Sequence, residues 1–165
     1  FDLKSIGSIM SDVSFFNLDS TRINLSDSDG KYRFISFLFS RCPMPNMCPA
    51  LVIKNEYLAK SLKNVDFILI SFDYIYDTPS VLNDFYGSAV SGYENWNVWS
   101  SYDNMNSIFM LTKQIGCKFW GIENNNIGHN MRSILIGPNR ELLFIWEGDK
   151  WKAEEIKNEI LNFLQ

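Results

Sequence analysis

Tyr32-Arg-Phe-Ile-Ser-Phe-Leu-Phe39 is almost continuously apolar and aromatic, and it leads straight into Arg41-Cys-Pro-Met-Pro-Asn-Met-Cys-Pro49. A run of that kind is what a strand covered on both faces needs. Two thiols, Cys42 and Cys48, therefore follow the carboxyl end of a central strand, where open α/β sheets commonly place ligands. The chain's single histidine, His129, lies far downstream. Two thiols and one imidazole make a soft ligand set that copper or zinc can use.

Outward from this stretch, Pro49 opens a helix running to about Leu62, with Leu51, Leu58 and Leu62 on one face. Val65–Ser71 reads as a second buried strand. Asp77-Thr78-Pro79 has the form of a helix start, with Asp77 expected as the capping side chain. Residues 94–99 suit a short strand, and Asp103 is expected to cap a helix ending at Gly116. Residues 131–136 and 141–146 flank Gly137-Pro-Asn139 as a hairpin, and Ile156, Ile160, Phe163 and Leu164 mark a closing helix. Upstream, residues 13–18 and 21–25 form a hairpin around Asp19-Ser20. This order predicts an α/β fold, a central mixed sheet flanked by helices with an N-terminal β-hairpin. If strand 131–136 runs antiparallel to strand 32–39, His129 faces the cysteine loop.

Composition narrows the function. One hundred and sixty-five residues, 46% hydrophobic and 21% charged, make one globular domain spanning 1–165. A net charge of −4, with scattered basic residues, argues against nucleic acid and against a membrane-surface patch. No apolar run approaches the ~20 residues that span a bilayer. Any membrane tether is expected outside this sequence. Three cysteines exclude a fully paired disulfide framework and leave Cys42/Cys48 as the natural bridge.

The ordered set of features resembles the Sco/SenC family of thioredoxin-fold, copper-binding proteins that assist cytochrome c oxidase assembly. It comprises the Phe34–Phe39 strand leading to Cys42 and Cys48-Pro49, then Ser71-Phe-Asp73 with Asp77-Thr78-Pro79. The His129 loop before Ile134-Leu-Ile-Gly-Pro138 and the closing helix complete it. The resemblance implies a metallochaperone rather than a turnover enzyme, with a copper ion held by Cys42, Cys48 and His129. It also implies an extracytoplasmic location and a client, the copper-centre subunit of an oxidase or another copper or thiol protein. Asp73 is expected near the metal loop. Two departures stand out: five residues separate the cysteines where the family usually has three, and Asp73 precedes Tyr74 rather than proline.

Alternatives remain at the residue level. Cys48 beside a helix N-terminus is expected to favour the thiolate. A redox-active Cys42/Cys48 pair would equally serve as the catalytic pair of a thiol–disulfide oxidoreductase. Peroxidase chemistry is disfavoured, since Thr-x-x-Cys is missing around Cys42. Met44 and Met47 offer thioethers to copper(I) or simply pack. Cys117 reads as a small buried hydrophobe, and Trp96, Trp99, Trp146 and Trp151 as packing residues.

Overall fold

The structure, a computed structural model, describes residues 3–42, 47–117 and 130–165. Its centre is a five-stranded sheet of order β5-β4-β3-β6-β7. Strand β3 (Tyr32–Leu38) lies in the middle, parallel to β4 (Val65–Ser71), which is parallel to β5 (Trp96–Trp99). On the other side β6 (Arg132–Ile136) pairs antiparallel with β3, and β7 (Leu142–Glu147) antiparallel with β6. Helix α1 (Cys48–Ser61) joins β3 to β4, and α2 (Pro79–Val90) joins β4 to β5. Parallel neighbours need such crossovers. Helix α3 (Met105–Gln114) follows β5, and α4 (Ala153–Leu164) closes the chain against α1. Strands β1 (Ser14–Phe16) and β2 (Arg22–Asn24) form a separate hairpin, shorter than the alternation suggested.

Each segment's burial explains its place. In β3 every residue after Tyr32 is buried, including Arg33. The Arg33 guanidinium donates to Leu25 O at 2.9 Å, Ser28 Oγ at 2.9 Å and Gly137 O at 2.8 Å, and pairs with Asp29 at 3.1 Å. A buried cation thus fastens the short 3-10 turn Leu25–Ser28 to the β6–β7 turn. Leu51, Leu58 and Leu62 face the core as their spacing requires. The buried Asn95 side chain donates to the carbonyls of Ala59, Leu62 and Val65, closing the carboxyl end of α1. Phe34 gathers Phe67, Trp146 and Trp151 around it at 5.5–5.9 Å between centroids.

Two expected caps are corrected. Thr78, not Asp77, caps α2: its hydroxyl accepts from Val81 N–H at 3.2 Å, with Pro79 in the first turn. Asp103 does not cap α3. Asn104 occupies that position without a side-chain cap, and Asp103 holds a left-handed φ of 57°.

Candidate metal centre

The β3–α1 connection carries the site. Leu38 ends β3, Phe39 O accepts the Cys42 N–H at 3.3 Å, and Cys48 begins α1 with Pro49 in its first turn. Cys42 is half-buried and Cys48 buried, and both are free thiols. They share a hydrogen bond across the loop. The spacing therefore does what the chemistry needs: two sulfurs from opposite ends of a loop lie in contact.

That contact also corrects the expected thiolate at the helix start. Cys48 is pushed far above the ordinary thiol range, first by its hydrogen bond with Cys42 and then by burial. The Phe39 backbone opposes this, while negative charge on Cys42 and Asp77 adds to it. A helix terminus contributes only a partial charge at its first turn. A neighbouring sulfur plus removal from water outweighs it. In the metal-free protein Cys48 is a thiol.

Polar groups beneath the loop were not legible as a unit. Asp77 is fully buried, and its carboxylate accepts from Ser40 N–H at 2.9 Å, Ser71 Oγ at 2.6 Å and Ser40 Oγ. Its backbone carbonyl accepts from Ser100 Oγ at 2.5 Å. Asp77 thus ties the segment after β3, the last residue of β4 and the residue after β5 together, close enough to Cys48 for its charge to be felt there. The only sequence signal was small hydroxyl residues (Ser40, Ser71, Ser100, Ser101) following apolar strands. Tyr86 of α2 also borders this region. Its hydroxyl is held protonated well above the usual phenol range, by burial first and then by charge on Cys48, Asp77 and Cys42.

At the rim, Asp73 pairs with Arg41 at 2.8 Å and accepts from Tyr76 N–H, while the Arg41 guanidinium lies 4.5 Å over the Tyr76 ring. Asp73 thus steadies the residue preceding Cys42. Met47 is buried and packs with Phe37, Leu51, Met131 and Trp151 beneath the loop, which favours the packing reading. Cys117 is buried too, its thiol pushed up to about 12 chiefly by burial. Met44, Pro43 and Pro45 lie outside the described residues, as does His129. The antiparallel register Arg33↔Ile136, Phe34↔Leu135, Ile35↔Ile134 does set the start of β6 beside the end of β3 that enters the cysteine loop. Among the described residues no group of three or more His, Cys, Asp or Glu side chains is placed to hold a metal ion. Two soft sulfurs in contact suit copper(I).

A family model described as SCO1/SenC matches residues 4–165. The chain belongs to the SCO1/SenC family. No match is found among curated proteins. Solved structures share the fold. A SCO1/SenC family lipoprotein from Bacillus anthracis str. Ames aligns with a TM-score of 0.76 at 22% identity, over 99% of this chain and 100% of that one. ScoI of Arabidopsis thaliana, solved with copper bound, gives 0.75 at 15%, over 95% and 98%. BsSco, a member of the Sco family of cytochrome c oxidase assembly proteins in which a disulfide switch was identified, gives 0.69 at 21%, over 97% and 96%. The thioredoxin-like α/β architecture expected from the sequence is borne out. No helix among the described residues of this SCO1/SenC protein is long and apolar enough to cross a membrane.

Proposed function

We propose that this SCO1/SenC protein carries a copper ion on Cys42 and Cys48, with His129 as the third ligand. It delivers that ion to the copper centre of an oxidase subunit outside the cytoplasm. The observation that carries the reading is the contact between the two thiols at the end of β3. Sulfur donors select copper(I), and the edge position of Cys42 leaves one sulfur accessible to a client. Copper-bound Sco structures with the same fold support the metal, and BsSco's membership in an oxidase-assembly family supports the client. The lipoprotein relative supports an anchored, extracytoplasmic setting, with the tether outside the described residues.

Both thiol protons must leave when copper binds, so loading releases protons and tightens with rising pH. Anaerobic copper(I) titration of the reduced protein tests the reading. One equivalent is expected to bind tightly, with Cys42→Ser and Cys48→Ser each losing at least a hundredfold in affinity and His129→Ala losing less. Undiminished copper binding by both serine variants would reject the site.

The alternative is a thiol–disulfide oxidoreductase acting through the same pair. It is favoured by one observation: Cys42 is the more exposed thiol and already touches its resolving partner. Metal-free turnover of a disulfide substrate, lost in Cys42→Ser, would establish it.

A further inference from the structure

Cys42 ends a closed turn. Phe39 O accepts the Cys42 N–H at 3.3 Å, which makes Ser40 and Arg41 the turn's central residues. Carboxylates from the connection between β4 and α2 hold both of them. Asp77 accepts from Ser40 N–H at 2.9 Å and from Ser40 Oγ. Asp73 accepts from Arg41 Nε at 2.9 Å and pairs with its Nη2 at 2.8 Å. The connection is itself braced against β4. Ser71 Oγ donates to Asp77 at 2.6 Å and accepts from Asp73 N–H at 3.1 Å, while Asp77 N–H donates to Asp73 O at 3.1 Å.

The two holds are unequal. The Arg41 side chain is more than half exposed, where an ion pair contributes little. Asp77 is fully buried and grips the backbone of the turn as well as a side chain. Charge-assisted bonds away from water are strong and costly to lose. The two cysteines also differ in what fixes them. Cys48 is buried as the first residue of α1, whereas Cys42 is half-buried and joined to Cys48 through five intervening residues. In an unrestrained chain a linker of that length leaves many separations of the two sulfurs open, so restraint on the turn decides how often they meet.

We propose that Asp77 is a positioning residue for the sulfur pair: through Ser40 it holds the Cys42 turn so that the two thiols meet before any ligand arrives. The inference rests on the reading that Cys42 and Cys48 act together toward copper. Ligands already in place lose less freedom on binding, so the hold raises affinity without touching the metal. The same restraint raises the effective concentration of one thiol at the other, and so favours closure of a disulfide between them.

The test makes two measurements on the full chain. One is copper(I) affinity of the reduced protein in competition with a chelator. The other, without metal, is the equilibrium of the pair with glutathione. There Cys42 and Cys48 give up two electrons and two protons as one S–S bond forms, and one oxidised glutathione becomes two reduced. Asp77→Ala should weaken copper binding and disulfide closure at least tenfold each. Asp77→Asn keeps an acceptor for Ser40 N–H and should stay within threefold of the wild type. Arg33→Met, destabilised near the opposite end of β3, should leave both quantities within twofold. Ser40→Ala removes one of the turn's two bonds to the carboxylate, should weaken both about threefold, and decides the matter if Asp77→Ala does not fold. Values within twofold of the wild type for the deciding variant, or equal losses in Asp77→Ala and Arg33→Met, would overturn the proposal. A loss in Asp77→Asn as large as in Asp77→Ala would make the charge responsible, not the hold, and overturn it as well. If the wild type takes up no copper while the glutathione equilibrium still follows the variants, the carrier reading falls and the positioning role stands.

Discussion

Cys48 and Cys117 are held as thiols for different reasons, and chemistry can read the difference. Burial alone raises Cys117, whereas contact with Cys42 leads for Cys48. Because both folded values are raised, the native state prefers the protonated forms. That contribution is fully present below the ordinary thiol range and is lost as pH climbs through the folded values. The metal-free protein is therefore expected to lose stability in alkaline solution, by a falling urea midpoint above about pH 9. In iodoacetamide at pH 8, Cys42 should be labelled first and the other two at least tenfold more slowly, as read by peptide mass spectrometry. Labelling of Cys48 at the rate of a free thiol would contradict its assigned state. Asp77 makes a separate case at this scale. Asp77→Ala strands three donors, from Ser40 and Ser71, and should cost about 2–4 kcal/mol in chemical denaturation.

Among the elements, most of what positions the site was legible because strand and helix periodicity report burial directly. Phe34–Leu38 and Val65–Ser71 are mostly apolar runs, and both are largely buried strands lying side by side. Helix ends were less legible. Asp77 and Thr78 are both good caps in isolation, and only the sheet beneath decides that Asp77 turns inward to Ser40 and Ser71 while Thr78 caps. Asp103 loses the capping role for a similar reason, its backbone being turned into the left-handed region by the loop after β5. The cysteine pair was visible from spacing, yet its protonation was not, since desolvation depends on what covers Cys48. Removing the Thr78 hydroxyl as Thr78→Ala should cost about 1 kcal/mol, measured by urea denaturation. Arg33→Met should cost more, upwards of about 2 kcal/mol, because it removes at once the buried guanidinium's bonds to Leu25 O, Ser28 Oγ and Gly137 O and its pairing with Asp29.

Taken as a whole molecule, the carboxyl edge of the sheet gathers the two cysteines, the start of β6 and the buried carboxylate of Asp77. A ligand bound only by the folded state stabilises it in proportion to RT ln(1 + [L]/Kd), so a tight metal must show itself in thermal unfolding. The most direct measurement is copper(I) loading under anaerobic, reducing conditions, with stoichiometry and melting temperature followed together for the wild type and for Cys42→Ser. One equivalent bound, a clear rise in melting temperature, and loss of both in the variant are predicted. Equal copper retention and equal stabilisation in Cys42→Ser would contradict a site built on the two touching sulfurs.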